Sequence, residues 1–389
     1  MLALPPGYSM RSLSDADTRD AVGRWLRHSP DHTLYHLGAY VDFIRAKNGV
    51  ADVLLVSRDG NDLFALTIHS WNGSVLDSGY SGVAFPPSRS ERVLRRSVTA
   101  LAELLSANRR LLLRVCQSAQ APAYDDLGRV TLLQQLLESE GLALDHVYGR
   151  LCDLDHLPDP GEIPVAPGRH PCALAIDSDW LTGDALRAYD PDIRNQIRQA
   201  IRRGLTVEYV NAGDPAARRC AYSRFQPLHE ESWGRTGLLP KSPDYWLDLS
   251  AAVTTSRGED LVVLALDDRG TPLAGVLCHA YQSRAIYWSG CSSADGLRAR
   301  ANPLCLHAAI AACRRQGVHT FELGRFHACE TSTKEQAITD YKAQFGGRLV
   351  RITSFATAPG VLVRARIARA AALFEGRRRL AVARARRRI

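Results

Sequence analysis

Two stretches, ADVLLVSRDGNDLFALTIHSW from residue 51 and EDLVVLALDDRGTPLAGVLCHAY from residue 259, alternate short apolar runs with polar turns and begin 208 residues apart (259 − 51). Runs rich in Val and Leu, broken by Asp-Gly or Asp-Asp-Arg-Gly, predict hairpins turning at Asp59-Gly60 and at Asp268 to Gly270. Asn72-Gly73 then leads into SVLDSGYSGVAF, and the second hairpin is followed by SRAIYWSGCSS. A helix over 90–105, the strand LLLRVC ending at Cys116 and a helix over 127–140 complete the first set. A helix over 303–315 and the strand HTFELG take the same places in the second. Matching order and spacing imply a duplicated unit. The fold class is mixed α/β, of α+β type, with two lobes each built on a mostly antiparallel sheet with helices packed on it.

Length supports that division, since 389 residues exceed the usual size of one core. The proline-rich run LDHLPDPGEIPVAPGRHP marks a joint. The expected domains are 1–157, a linker over 158–175, a second lobe over 176–358 and a basic tail over 359–389. After the joint, DPDIRNQIRQAIRRG predicts a helix capped by Asp190, with Pro191 in its first turn and Gly204 past its end. Ile193, Ile197 and Ile201 form one ridge of it, and Arg194, Arg198 and Arg202 a neighbouring one. That arginine ridge suits a phosphate and equally suits a solvated face.

Candidate chemistry gathers in HTFELGRFHACETSTKEQAITDYKAQFGG, residues 319–347. Phe321 and Leu323 alternate with Thr320 and Glu322, so Glu322 points away from the apolar face of a strand. Ser332 and Glu335 have capping-box spacing, and the helix they start ends at Gly346. Ile338, Tyr341 and Phe345 make its apolar stripe, with Lys342 at the edge. Only four lysines occur in the chain, and Lys334 and Lys342 are two of them.

YKAQFGG, preceded by a strand ending in ELG and by RANPLCLHAAIAACRRQG, resembles the carboxy-terminal signature of the Fem-like transferases and of BioF2-like acetyltransferases, both built on the GNAT acyltransferase fold. The resemblance implies duplicated GNAT-like lobes and transfer of an activated acyl group to an amine, where proximity and an oxyanion donor supply much of the rate. By that likeness Lys342, with Tyr341 in place of the family's Phe, is associated with the transfer step, and Glu322 holds or deprotonates the incoming ammonium. His229, among carboxylates, is a further candidate base. Arg298, Arg300 and Asn302 stand where a loop and helix start would cradle a coenzyme A pyrophosphate, with Tyr341 and Phe345 beside the donor. The usual Gly-rich loop sequence is missing there. Arg194, Arg198, Arg202, Trp233, Tyr287, Tyr80 and His36 are the acceptor-side candidates.

The donor expected is acyl-CoA (acetyl-CoA), with aminoacyl-tRNA, as in Fem-like peptidoglycan branch enzymes, the alternative. The acceptor is an amine, envelope-related or a small molecule, carried by a phosphate- or lipid-linked precursor in one version. A non-catalytic module that binds phosphate ligands in the same cleft is a third reading.

Net charge changes this picture in one place. Of the formal +8, ten arginines and Glu375 give residues 361–389 a charge of +9, leaving −1 for the rest. A basic arm of this kind is drawn to tRNA or to an anionic membrane surface. The chain lacks an apolar run long enough for a transmembrane segment and a signal-like start, so the expected location is cytoplasmic, peripheral at the inner membrane face if the tail binds lipid. Nine cysteines without a CxxC pair, and histidines without HExxH spacing, predict neither disulfide framework nor metal site.

Overall fold

The computed structural model describes residues 2–49, 51–71, 75–77, 82–108, 112–116, 121–142, 147–155, 163, 165–327, 333–352 and 354–356. The basic tail, Tyr80, the Asn72-Gly73 turn and Ser332 lie outside them. The chain divides into two compact units, Met1–Gly149 with the return from Val350, and Arg150–Leu349.

The first unit holds β1 (Tyr8–Ser12), α1 (Arg19–His28), α2 (Gly38–Asn48), β2 (Ala51–Arg58), β3 (Asn61–Trp71), β4 (Val75–Asp77), β5 (Val83–Ala84), α3 (Glu91–Ala107), β6 (Leu112–Cys116) and α4 (Leu127–Ser139). Asp59 and Gly60 both take positive φ, 52° and 75°, and Arg58 pairs with Asn61 across them, a two-residue hairpin as their sequence predicts. Alternation along the strands sends residues to two cores. Val53, Leu55 and Ala65 pack with Val22, Leu26 and Val41 of α1 and α2. Val56, Phe64 and Leu66 pack with Leu94, Val98 and Leu101 of α3.

The second unit is built on a nine-stranded sheet. Its elements are β7 (Val147–Asp153), β8 (Val165–Pro167), β9 (Leu174–Ile176), α5 (Ser178–Thr182), α6 (Pro191–Arg202), β10 (Thr206–Asn211), α7 (Pro215–Arg235) and α8 (Pro243–Thr255). There follow β11 (Glu259–Leu266), β12 (Pro272–Tyr281), β13 (Arg284–Ser292), α9 (Ala294–Ala299), α10 (Ala301–Arg315), β14 (Thr320–His327), α11 (Thr333–Ala343) and β15 (Arg348–Arg351), before β16 (Ser354–Ala356) returns to the first sheet. Strand order is β15-β7-β14-β13-β12-β11-β10-β9-β8. Part of the stretch expected as linker is therefore the edge strand β8. Asp190 caps α6 through Asp192 N–H, and Ile193 and Ile197 are buried, as their spacing predicts. Among the described residues no helix is long and apolar enough to cross a membrane.

The duplication is visible in the pairing. β2-β3-β4 and β11-β12-β13 are antiparallel runs, and each adds a parallel strand, β6 or β14, after a helix. The closing strands are exchanged: β7, which follows α4, lies beside β14, and β16 lies beside β6.

At the end of α11, the FGG sequence makes a locked turn. Phe345 is buried edge-on against Tyr189 and Tyr341, at 5.2 and 5.5 Å. Gly346 and Gly347 have φ of 78° and 82°, and a Cβ on Gly347 would fall 2.6 Å from the Leu151 carbonyl oxygen. Left-handed backbone and close approach both exclude a side chain there. Gly347→Ala is expected to destabilise the protein by about 2–4 kcal/mol, combining backbone strain with overpacking, measured as a lower urea midpoint at unchanged m-value.

Candidate active site

Strands β13 and β14 pair in parallel only at Arg284–Thr320, Ala285–Phe321 and Ile286–Glu322, then part. On its other side β13 carries a bulge: Cys278 faces Tyr287 but Leu277 faces Ser289, so Trp288 is the extra residue. A bulge leaves backbone groups outside the ladder, which in a cleft makes an amide available as a donor to a developing oxyanion. Tyr287 lies back along its own strand. Its hydroxyl would be 1.9 Å from a Cβ at 290, so a side chain at 290 would displace the ring from this position.

Two of the candidates, Glu322 and Lys342, lie near each other where the pairing ends. Glu322 is 1% exposed at the last paired position. Lys342, from α11, brings Nζ to 5.5 Å from the Tyr287 ring centroid, a cation over an aromatic face. The same Nζ is 3.0 Å from where a Cβ of Gly324 would stand. Glycine after Glu322-Leu323 is thus the space in which the ammonium sits. Burial pulls the Lys342 pKa down to about 8, and the Glu322 carboxylate holds it from falling further. The group stays mostly cationic at neutral pH and loses its charge within the physiological margin. Tyr341 adds a buried hydroxyl without a hydrogen-bond partner among the described residues, and burial raises its pKa. Of the expected stripe, Tyr341 and Phe345 face inward, but Ile338 is 45% exposed.

Sequence reasoning missed the layer beneath the bulge. Trp288 stacks on His279, ring centroids 5.0 Å apart, and His279 Nε2 lies 3.5 Å from Asp260 Oδ1. Asp260 Oδ2 accepts a hydrogen bond of 2.8 Å from the Tyr222 hydroxyl of α7. Asp260 and His279 are cross-strand partners on β11 and β12, both fully buried. Burial raises the Asp260 pKa to about 6, against hydrogen bonds from Ser250 and Tyr222 that lower it, and drives the His279 pKa down to about 3. The signal available was a polar residue inside each of two apolar strand runs. Only their register places them together under the bulge.

The other candidates separate from this cluster. His229 is not an accessible base: it is buried with its ring 4.5 Å from Trp233 and 4.9 Å from Trp246, and Nε2 accepts the Lys241 backbone N–H at 3.0 Å. Burial brings its pKa down to about 4, so the ring is a neutral packing element. Trp233 is half-buried against it. His36, in the first unit, is a fully buried cap whose Nδ1 accepts from Thr33 N–H at 3.1 Å, with its pKa lowered by burial to about 3. Arg194 and Arg198 are half-buried on α6, while Arg202 is exposed.

The expected pyrophosphate loop is a helix. Ser293 caps α9 through Gly296 N–H, and the first-turn Ala294 N–H already donates to Glu231 Oε1 at 2.6 Å. Arg298 is paired with Asp295 and its side chain is 73% exposed. Arg300 stands at the α9–α10 junction with φ 61°, and Pro303 in the first turn of α10 has no N–H to offer. Asn302 is half-buried, its Oδ1 without a partner among the described residues.

A sheet that opens between two parallel strands beside a bulge defines the GNAT class, and the comparisons agree. Residues 191–343 match the family model of the acetyltransferase (GNAT) domain. The structure of FemX is similar over 89% of this chain and 96% of that one, with TM-score 0.58 and 14% identity. The C-terminal domain of a protein named as a lysylphosphatidylglycerol synthetase, from Agrobacterium fabrum, matches over 92% and 95%, with TM-score 0.50 and 15% identity. L-PGS from Bacillus licheniformis matches over 89% and 94%, with TM-score 0.50 and 11% identity. A sequence search of curated proteins finds no match. Residues 191–343 thus match a GNAT acetyltransferase domain model, and the fold of the chain is the GNAT fold shared with those structures.

The buried acid gives a stability test. An acid with a raised folded pKa binds more protons folded than unfolded, so its contribution falls as pH rises from 3.8 through 6 and is flat above. Two pKa units correspond to roughly 3 kcal/mol. Asp260→Asn, which keeps an acceptor for Tyr222, is expected to gain up to about that much relative to the parent chain between pH 4 and pH 7. Urea unfolding of both proteins across that range measures the difference.

Proposed function

We propose that the chain is an acyltransferase that forms an amide on an amine-bearing acceptor, with an aminoacyl ester of tRNA ahead of acyl-CoA as donor. The observation that carries the chemistry is the buried Lys342–Glu322 pair at the parting of β13 and β14. The acceptor amine arrives as an ammonium and gives its proton to Glu322. The free amine forms the C–N bond with the donor carbonyl carbon, and negative charge grows on the carbonyl oxygen. Lys342 and a bulge amide stabilise that charge; the C–O bond to the tRNA 3′ end, or C–S bond to coenzyme A, then breaks as the carbonyl re-forms, and the leaving oxygen or sulfur takes the proton that the new amide nitrogen gives up.

The preference for an aminoacyl donor rests on α9. A diphosphate is held by free N–H groups at a helix start. Here the Glu231 carboxylate occupies one of them at the start of α9 and Ser293 another, and the first turn of the next helix, α10, carries Pro303, which has no N–H. The name of the lysylphosphatidylglycerol synthetase relative, an enzyme named for an aminoacyl lipid, supports the same direction. Acyl-CoA is retained as the second reading because the matching family model is that of an acetyltransferase domain. Half-buried Arg194 and Arg198 are the proposed contacts for a phosphate on acceptor or donor, and the 361–389 tail is a proposed contact for tRNA or anionic lipid.

Binding of the full chain to coenzyme A and to charged tRNA, with salt varied, tests the donor. Saturable binding of charged tRNA is the expected result, and saturable micromolar binding of coenzyme A alone would replace it with the second reading. With the donor in hand, Lys342→Met is expected to lower kcat/KM by about 10²–10³-fold while folding is retained. Because the required form is the ammonium, kcat/KM of the parent chain falls with an apparent pKa near 8 on the alkaline side. An unchanged alkaline limb in Lys342→Met would assign that ionisation elsewhere.

A further inference from the structure

At the far edge of the second unit's sheet, away in strand order from β13 and β14, three soft donors meet. The hairpin between β8 and β9 turns through 168–173, with Gly168 N–H on Ala173 O and Ala173 N–H on His170 O, each 2.9 Å. It is tight enough that a Cβ on Gly168 would sit 3.0 Å from Ala173 Cβ. The turn presents His170 and Cys172 together, and Cys220 reaches them from α7. The ligand atoms of all three lie within 4.8 Å of one another, and each residue is half-buried. Cys220 Sγ is 2.9 Å from His170 Nδ1, which also accepts the Cys172 backbone N–H at 3.4 Å.

The surroundings hold this arrangement in place. Arg169, just before the two donors of the turn, gives its N–H to the Glu208 carboxylate and its guanidinium to the Asp267 and Asp268 carbonyls, at 3.1 and 3.2 Å. Glu208 in turn pairs with Arg224 at 3.0 Å, one helical turn from Cys220. Both sides of the cluster are therefore anchored to the same buried carboxylate, and neither arginine has to move for the donors to close on an ion.

We infer that His170, Cys172 and Cys220 form a site for a soft d¹⁰ divalent ion of the zinc type, with its fourth position open to water. Two thiolates and a neutral imidazole cancel a 2+ charge, and this donor set suits zinc far better than magnesium or calcium. Tetrahedral bonds of about 2.3 Å to sulfur and 2.0–2.1 Å to nitrogen need the ligand atoms roughly 3.5–4 Å apart, so on loading the widest separation closes by up to about 1 Å while the 2.9 Å contact of Cys220 Sγ with His170 Nδ1 opens. The two thiol protons leave as the metal–sulfur bonds form. Burial and the neighbouring Cys172 raise the Cys220 pKa, which keeps the metal-free thiol protonated and hydrogen-bonded to the imidazole as seen. Bound metal would clasp the β8–β9 edge onto α7. Sequence spacing alone predicts no such site, because His-x-Cys supplies two donors and the third comes from a distant helix.

The test uses the full chain, purified under reducing conditions, with Zn²⁺ titrated against a chromophoric chelator and Co²⁺ as spectroscopic probe. One ion per chain is expected, with thiolate-to-cobalt charge-transfer absorption and a thermal midpoint raised by Zn²⁺. Cys172→Ser and His170→Ala sit on a half-exposed turn, and each is expected to weaken binding 100-fold or more and to abolish the zinc-dependent midpoint shift, with the metal-free midpoint unchanged. Cys220→Ser should behave alike toward metal. No uptake by the parent chain, or equal uptake by the Cys172→Ser and Cys220→Ser variants, overturns the site. So does finding Cys172 and Cys220 joined as a disulfide that reductant does not open to metal.

Discussion

A lysine ammonium taken out of water needs an opposing charge, an acceptor surface and room, and the second unit supplies these from separate elements. Glu322 gives the charge from the last paired position of β14, Tyr287 gives the aromatic face from β13, and Gly324 gives the room by having no side chain. Lys342 itself is delivered by α11, whose end is fixed by Phe345 and the left-handed pair Gly346-Gly347. Losing Glu322 would leave the ammonium desolvated without an opposing charge, whereas a side chain at 324 would displace it from this position. The parting of β13 from β14 is the condition for all of this, since continued pairing would close the space the ammonium uses.

The two repeats bury charge in different ways. In the first unit Arg129 and Asp31 form a two-bond pair at 3.1 and 2.9 Å, with side chains 3% and 2% exposed, and Asp31 also accepts the Phe85 N–H. Every strong direction of that carboxylate is used inside the fold, as a structural pair requires. Lys342 instead lies over a ring and in the field of the Glu322 carboxylate, and its pKa has moved to where a small change in surroundings alters its charge. A duplicated architecture thus carries a closed pair in one unit and a titratable one in the other.

Local chemistry made much of this legible. The Asp59-Gly60 turn, the Asp190-Pro191 start of α6 and the strand around Glu322 follow from short-range rules about backbone and periodicity, whereas Lys342 is singled out by the resemblance of its segment to the Fem-like transferases. What those rules miss is set by contacts between distant segments. His229 looks accessible among the carboxylates of α7, but α8 brings Trp246 over it. Ile338 has the spacing of a core position, yet the face it occupies is left open. The bulge at Trp288 is a property of two strands jointly, so neither β12 nor β13 announces it alone. The exchange of β7 and β16 between sheets is likewise invisible, because each is an ordinary strand whose partner lies in the other half of the sequence.

Helix α9 shows how an internal group can redirect substrate binding. The turn after a strand such as β13 has unsatisfied N–H groups that attract an anion, and a protein that does not bind one there must fill the place itself. Glu231 and Ser293 do so here, by accepting the N–H groups of Ala294 and Gly296. A phosphate-bearing substrate then needs cations elsewhere. Helix α6 packs beside α10 and offers Arg194 and Arg198 with their stems half-buried, which holds a guanidinium fork more firmly than a fully solvated arginine can. The capped start of α9 and the half-buried arginines of α6 are separate features of the second unit: one uses its N–H groups inside the fold, and the other keeps guanidinium groups at the surface.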